Sequence, residues 1–249
     1  MKRLFSIVSV IAMLAGLAGC GNAMIPAGSI DPGRTVPVPT TAVPVNEYPL
    51  RDPQPEQNAV VTIEMADGGI IKMELYYDIA PNTVANMVSL VKEGYYDGVI
   101  FHRVIPGFMI QGGDPEGTGG GGPGYGIPGE FDDNGFSNKL EHLRGVVSMA
   151  RRSDPNTNSA GSQFFICVAD ARSSLDGGYA AFGKVIEGMD VADKIVSAER
   201  DTDKDSPTLD RPFAEQKMKK VTVETFGFDY PDPITCSETD TRDYSAFVD

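Results

Sequence analysis

One arginine, Arg103, lies inside an apolar run with no serine, cysteine or paired carboxylate beside it. The stretch FHRVIPGFMIQGGDP, residues 101–115, places Phe108, Met109 and Gln111 shortly after it. A guanidinium is permanently charged and donates hydrogen bonds from a rigid planar fork. Next to an apolar pocket it could stabilise developing electron density without covalent chemistry. A plain surface charge is the commoner fate of an isolated strand arginine, so the run alone leaves both interpretations open.

Two loops that resemble ligand-binding motifs lack residues that those motifs require. The glycine-rich segment 112–126 contains no Gly-Lys-Ser/Thr, so it does not fit a phosphate-binding loop. The segment DTDKDS, 201–206, begins like a calcium loop, but Ser206 and Pro212 stand where that loop needs glycine and glutamate. We therefore expect neither nucleotide nor calcium binding, and the glycines indicate tight turns.

Metal and hydrolase sites are also disfavoured. The two histidines, His102 and His142, have no ligand spacing to a cysteine or carboxylate. The chain has no G-x-S-x-G motif and no apparent nucleophile–base arrangement. We expect no metal, no cofactor and no hydrolytic chemistry. His102 follows the opposite strand face from Arg103, which predicts a structural role.

The elements that must position Arg103 are mostly strands. Alternating or apolar runs predict strands at 59–65, 70–76, 99–104, 108–112, 145–150, 162–168, 180–186 and 219–226. Helical spacing appears at 81–94 and 189–197. Eight strands and two helices without βα alternation predict an all-β-dominated fold, a closed eight-stranded antiparallel β-barrel capped by two helices. This domain is expected to span 58–228.

Four separated motifs, in order along the chain, resemble those of the cyclophilins. They are the strand with Arg103, the neighbouring strand with Phe108, Met109 and Gln111, and the stretches SMARRSDPNTNSAGSQFFI and LDGGYAAFGKV. The stretches DPNTNSAGSQFF and GGPGYGIPGEF look particularly like those of bacterial members. Cyclophilins are peptidyl-prolyl cis-trans isomerases built on an eight-stranded barrel with two helices. The resemblance runs from Val60 to Phe228, and it implies that the chain catalyses rotation about X–Pro bonds.

The resemblance also implies a set of site residues. Arg103 and Gln111 match the catalytic positions, and Gln163 joins Gln111 in holding the substrate backbone and orienting the arginine. The apolar pocket for the proline ring matches Phe108, Met109, Phe165 and Leu175. The remaining substrate-binding positions match Ala150, Arg151 and Tyr179.

Three positions depart from the common family pattern. Arg151 stands where many relatives have asparagine, and Tyr179 replaces a histidine of eukaryotic relatives. Ser174 aligns with a tryptophan that helps bind cyclosporin, so we expect weak cyclosporin binding. Arg151 and Ser174 keep a second hypothesis open, that of a proline-segment binding module or chaperone with little catalysis. A solute-binding lipoprotein is a third, less consistent with the strand pattern.

The N-terminus has the three-part layout of an export signal. Lys2 and Arg3 precede an apolar stretch, and Leu-Ala-Gly-Cys at 17–20 resembles the lipobox of bacterial lipoproteins. We expect residues 1–19 to be a lipoprotein signal peptide and Cys20 to carry the lipid, which would hold the protein on the extracytoplasmic face of the cell membrane. An uncleaved anchor, or an ordinary signal peptide with a chance cysteine, is the alternative.

The segments that flank the barrel are predicted to be less ordered. Residues 20–57 are rich in proline and poor in large apolar groups, which predicts a disordered tether. The acidic segment 229–249 is expected to be a loosely held tail. Cys167 lies in an apolar strand and Cys236 in this tail, so we expect Cys167 to be a small core residue without a disulfide.

The charge excludes one class of partner. The chain carries 35 acidic and 21 basic side chains, a net charge of −14. Nucleic-acid binding depends on cationic neutralisation of phosphates, so we expect no nucleic-acid partner. The expected partners are proline-containing peptides or unfolded proteins, bound by a monomer.

Overall fold

The computed structural model describes residues 54–153, 155–242 and 244–247. Eight strands run in chain order: β1 Val60–Met65, β2 Ile70–Leu75, β3 Ile100–Ile105, β4 Met109–Gly112, β5 Val146–Met149, β6 Phe164–Cys167, β7 Ala181–Glu187 and β8 Gln216–Glu224. The α-helices are α1 Pro81–Lys92, α2 Arg172–Leu175 and α3 Met189–Val196, and short 3-10 turns cover Asp132–Asn134 and Tyr244–Phe247. The predicted signal peptide, Cys20 and the tether up to residue 53 lie outside the described residues.

The strands close into a barrel in the order β1-β2-β7-β5-β6-β4-β3-β8, and every neighbouring pair is antiparallel. The predicted closed eight-stranded barrel is confirmed. The structure adds α2 to the two predicted helices, because a four-residue helix is too short to show a helical period in sequence. None of the helices in the described part of the chain is long and apolar enough to cross a bilayer.

The barrel interior follows from strict alternation along the first hairpin. In β1 and β2 every second side chain is buried, and Ile63 lies opposite Ile71 across the pair. Residues directly opposite one another project to the same face of the sheet. The alternation therefore directs one row inward to the core and leaves the other row half-buried on the outside.

The N-terminus of α1 is held by a buried carboxylate from a distant loop. Glu130 is fully buried and accepts the backbone amides of Asn82 at 3.0 Å and Thr83 at 2.7 Å. The first amides of a helix have no intrahelical acceptor, so this carboxylate replaces the missing partner. Burial raises the pKa of Glu130 to about 7, although hydrogen bonds from Thr83, Asn82 and Tyr244 act in the opposite direction.

This raised pKa predicts a pH-dependent stability. Between pH 4.5 and 7 the folded protein holds a proton on Glu130 that the unfolded chain has lost, so stability falls as pH rises through this window. Denaturant titrations should show the wild type gaining about 2 kcal/mol between pH 7.5 and 5.5 relative to Glu130→Gln, which cannot titrate. Parallel pH profiles for the two proteins would contradict this assignment.

The C-terminal segment, predicted to be loosely held, packs against the barrel domain, so that prediction is wrong. Gly126 and Cys236 form an antiparallel bridge through reciprocal backbone hydrogen bonds of 2.9 and 2.8 Å. The Ile234 amide donates to Asn82, whose side-chain amide donates back to the Ile234 carbonyl. Backbone pairing of this kind does not depend on side-chain type, so the acidic, turn-rich composition concealed it.

The two cysteines of the described residues, Cys167 and Cys236, are both free. Cys167 is fully buried in β6, whereas Cys236 is half-buried in the C-terminal segment. Burial raises the pKa of each thiol to about 12. At neutral pH both therefore remain protonated and poorly nucleophilic.

Candidate active site

The structure brings nine of the ten predicted site residues together around one cavity of about 140 Å³. Its lining residues are Arg103, Phe108, Met109, Gln111, Ala150, Arg151, Phe165, Leu175 and Tyr179. The tenth, Gln163, lines an adjoining cavity of about 440 Å³ that shares Gln111, Ala150 and Arg151 with the first. Residues separated by up to 76 positions in sequence thus form one continuous groove.

Strand register explains how the polar and apolar parts of the cavity meet. Arg103 on β3 lies opposite Gln111 on β4, and Gln111 lies opposite Phe165 on β6. Opposed residues in adjacent strands share a face, so the three side chains form one row across the outside of the barrel. The guanidinium, the amide and the aromatic ring are therefore neighbours because of the sheet itself.

A β-bulge in β3 turns Arg103 towards this outer face. Phe101 is fully buried in the core, and regular alternation would direct Arg103 to the same side. The register between β3 and β4 shifts between Phe101 and Arg103, which leaves His102 as the extra residue. A bulge of this kind re-aims the side chains that follow it. Arg103 accordingly lies outside, with its side chain 45% exposed, and Val104 returns to the core.

His102 does not reach the cavity. Its ring is buried beneath the glycine-rich loop near Gly119, and neither ring nitrogen has a hydrogen-bond partner within the described residues. Burial is the largest cause lowering its pKa. The neutral, enclosed ring is consistent with the predicted structural role.

A relay of side-chain amides leads from the glycine-rich loop to the arginine. Gln163 Nε2 donates to the carbonyls of Gly119 and Gly121 at 3.0 and 2.9 Å. Gln111 Nε2 donates to Gln163 Oε1 at 2.9 Å, and Arg103 Nη1 is 3.4 Å from Gln111 Oε1. The amide nitrogen of Gln111 donates to Gln163, so the amide oxygen of Gln111 is held facing Arg103.

Asp114 gives this loop its shape. The buried carboxylate accepts the backbone amides of Glu116, Thr118 and Gly119 at 2.6–2.9 Å. Burial opposes ionisation of Asp114, but the amide hydrogen bonds outweigh it and lower its pKa. A side chain at Gly121 would collide with the Asp114 carboxylate, so the glycine is needed for this close approach. The loop thus presents its carbonyls to Gln163.

The apolar side of the cavity is a small separate cluster on the outside of the barrel. Phe165 packs with Met109 and Leu175, and Tyr179 meets the Phe165 ring edge-on at 5.9 Å between centroids. The Arg151 guanidinium lies 5.0 Å from the centre of the Tyr179 ring and donates from Nε to the Gly178 carbonyl. Arg151 therefore forms a fixed side of the groove, because its guanidinium lies over an aromatic ring and donates to a backbone carbonyl.

Beneath Phe165 lies a serine–histidine–aspartate chain that the sequence did not reveal. His142 Nε2 is 2.9 Å from Ser148 Oγ, and His142 Nδ1 is 2.7 Å from Asp176 Oδ1. The sequence showed no apparent nucleophile–base arrangement, and the structure places the histidine within hydrogen-bonding distance of both the serine and the aspartate. Asp176 lies 34 residues from His142, a separation with no motif spacing. Only the fold brings the three groups together.

This chain supports Phe165 rather than forming a hydrolytic site. Ser148 is fully buried, so no substrate carbonyl can reach its hydroxyl. The His142 ring stacks on Phe165 with 6.1 Å between centroids and planes 20° apart. Ser148 and Asp176 hold both edges of the imidazole, which fixes the surface on which the Phe165 ring rests.

Two further positions complete the description of the groove. Ser174, aligned with the family's tryptophan, lies on α2 with its hydroxyl donating to the Ala171 carbonyl at 3.1 Å. Asp210, which no sequence pattern marked, has a carboxylate oxygen 3.8 Å from Arg103 Nε. Among the described residues, no group of three or more His, Cys, Asp or Glu side chains is arranged to hold a metal ion.

Comparison with known proteins decides the family. The sequence profile of the family described as cyclophilin type peptidyl-prolyl cis-trans isomerase/CLD matches residues 60–223. This chain belongs to the cyclophilin family. It is a peptidyl-prolyl cis-trans isomerase, in agreement with the enzyme activity that the sequence predicted.

Relatives of this cyclophilin are known from several organisms. A peptidyl-prolyl cis-trans isomerase of Synechococcus elongatus is 47% identical over 143 residues, which cover 54% of this chain and 92% of the relative. Peptidyl-prolyl cis-trans isomerase B of Bacillus subtilis is 48% identical over 128 residues, covering 51% and 84% respectively. A crystal structure of a Cryptosporidium parvum cyclophilin, determined in the presence of the dipeptide Ala-Pro, is 34% identical with a TM-score of 0.56. It covers 66% of this chain and 98% of its own.

Proposed function

We propose that this cyclophilin isomerises X–Pro bonds in exported or surface proteins, and that Arg103 is its catalytic residue. The observation that carries the catalytic assignment is the meeting of Arg103 with the apolar cluster around Phe165 in one cavity. The Ala-Pro dipeptide used with the Cryptosporidium parvum cyclophilin supports a proline-containing segment as the occupant of that cavity.

The reaction explains why the site needs no nucleophile. Rotation about an X–Pro bond breaks amide resonance against a barrier of about 18–20 kcal/mol, and no covalent bond is made or broken. As conjugation is lost, the prolyl nitrogen becomes pyramidal and its lone pair becomes basic. A guanidinium donating to that lone pair stabilises the twisted form more than the planar one, which is the condition for catalysis.

One hydrogen bond from Arg103 cannot account for a large rate acceleration, so the rest of the cavity must also stabilise the transition state. A hydrogen bond from a charged donor is worth about 1.5–3 kcal/mol. A ten-thousandfold acceleration corresponds to about 5.4 kcal/mol, so Arg103 alone falls short. The pocket of Phe108, Met109, Phe165 and Leu175 is proposed to hold the proline ring while the preceding carbonyl rotates, and to keep water from the guanidinium. Gln111 and Gln163 orient the arginine and bind the substrate backbone.

The location of the activity rests on the N-terminal sequence. Lys2 and Arg3, an apolar stretch and Leu-Ala-Gly-Cys at 17–20 support export followed by lipid attachment at Cys20. The proline-rich segment up to residue 57 then separates the membrane from the isomerase domain. On the extracytoplasmic face, clients whose folding waits tens of seconds for X–Pro isomerisation would be accelerated.

The anchor is tested by detergent partitioning of the protein expressed with its own N-terminus in bacteria. We expect wild type to enter the Triton X-114 detergent phase and Cys20→Ala to remain in the aqueous phase. Cys236→Ala, which also removes one thiol, should partition as wild type does. Recovery of Cys20→Ala in the detergent phase would contradict lipid attachment at that residue.

A further inference from the structure

We propose that Asp210 is a positioning residue for Arg103, an inference that rests on the proposed catalytic role of that arginine. β3 pairs with β4 along one edge, where Gln111 meets Arg103 Nη1. Along its other edge, the Val104 amide donates to the Asp210 carbonyl at 2.9 Å, and the Asp210 carboxylate lies 3.8 Å from Arg103 Nε. Two acceptors thus flank one planar guanidinium, each beside a different nitrogen.

The loop between α3 and β8 that carries Asp210 is cross-linked through its backbone. The Asp201 amide donates to the Arg211 carbonyl and the Asp210 amide to the Asp201 carbonyl, both at 2.9 Å. Nearer the base, the Phe213 amide donates to the Glu199 carbonyl, also at 2.9 Å. The two halves of the loop are therefore paired like a hairpin, which fixes the position of Asp210 beside β3.

The tip of the same loop is closed by one carboxylate. Asp201 accepts the Asp203 amide at 2.9 Å, the Thr208 hydroxyl at 2.8 Å and the Ser206 hydroxyl. These hydrogen bonds, with that from Ser206 the largest, lower the pKa of Asp201. The carboxylate therefore remains ionised and holds the tip at neutral pH, so Asp210 is presented from a rigid support.

The backbone at Asp210 is strained, which points to a use for its side chain. Its φ is +66°, in the left-handed region that glycine adopts freely and other residues enter at a cost. Strained residues of this kind cluster at functional sites. A glycine would satisfy the same backbone, so the turn does not require a carboxylate, and the carboxylate present here lies beside Arg103 and Arg200.

A second cation keeps this carboxylate from cancelling the charge of Arg103. Arg200 Nε lies 3.4 Å from Asp210 Oδ1, while Arg103 lies beside Oδ2. Two guanidinium groups and one carboxylate leave a net charge of +1. The arrangement can therefore orient Arg103 through Asp210 and still present positive charge to the cavity, as stabilisation of a lone pair requires.

Steady-state kinetics on an Ala-Pro peptide test the proposal with two complementary variants. Asp210→Asn keeps the size of the side chain and tolerance of positive φ but removes the charge. Asp210→Gly removes the carboxylate and relieves the backbone strain, which offsets the conformational entropy that glycine adds to the unfolded chain. We expect kcat to fall about three- to fivefold in both, the upper range for an exposed ion pair, with little change in KM. Asp205→Asn, which removes an exposed carboxylate from the same loop, should retain wild-type kcat.

The outcomes separate this inference from the proposed catalytic role. If both Asp210 variants keep kcat at the wild-type value while Arg103→Ala loses activity, Asp210 does not position the arginine. If Arg103→Ala itself keeps full activity, the catalytic assignment fails first. A lower kcat in Asp210→Gly together with an unchanged or higher melting temperature would support positioning, because a merely structural role would lower both.

Discussion

Arg103→Ala is expected to lower kcat/KM for an Ala-Pro peptide by about two orders of magnitude. This corresponds to about 2.7 kcal/mol of transition-state stabilisation, within the range of one charged hydrogen bond. Because the bond to the prolyl nitrogen strengthens only as that nitrogen becomes pyramidal, the loss should fall on kcat rather than KM. A protease-coupled assay that cleaves only the trans peptide measures both constants.

Arg103→Lys is the matched control for charge without the planar fork. Lysine keeps a positive charge, but its donors share one nitrogen on a flexible stem and lack the fixed spacing with which the planar fork reaches Gln111 and the substrate. We expect it to recover only a small part of the lost rate. Wild-type activity in Arg103→Ala would mean that the guanidinium takes no part in catalysis.

Phe165→Ala should produce the second-largest loss, by a different route. Phe165 is almost fully buried between Met109 and Leu175, and its removal opens the floor of the cavity. The proline ring would then be held loosely while the preceding carbonyl rotates, which lowers kcat, and the lost apolar contact with the substrate also raises KM. We expect kcat/KM to fall about thirtyfold and the free energy of unfolding by about 3–5 kcal/mol.

The neighbouring residue provides a control for stability. Phe164 is also buried, but it projects into the barrel interior, where its ring meets those of Tyr96 and Phe101. Phe164→Ala should cost a similar free energy of unfolding, while its KM for the peptide stays near that of wild type. An equal rise in KM for both variants would show that a general loosening of the folded structure, and not the loss of the cavity wall, explains the effect of Phe165→Ala.

Much of the fold could be predicted because its signals are local. Alternation in β1 and β2 follows directly from burial of one sheet face, and the α1 start at Pro81 agrees with proline at a first helical position. The α2 turn has no periodic signal, and the C-terminal segment is held by backbone pairs such as Gly126–Cys236 that leave no mark on residue type.

The features of the site also fall into two groups. Sequence motifs identify some of the residues, whereas strand register and loop conformation alone place the others. Family motifs identified Arg103, Gln111 and Phe165, and the structure brings them together in one cavity. The bulge at His102 that turns the arginine outward is a single-residue register shift, invisible in an apolar run. Asp210 reaches Arg103 from about a hundred residues downstream through a strained loop, so no spacing rule could have identified it.

Exchange NMR on a bound Ala-Pro peptide tests the central claim most directly, because it measures affinity and the rate of rotation separately. With Arg103→Ala, we expect the dissociation constant of the peptide to stay within about threefold of wild type, since the apolar pocket is intact. The enzyme-bound cis–trans interconversion should slow about a hundredfold. Interconversion as fast as in wild type, at full occupancy of the variant, would contradict a catalytic role for the arginine.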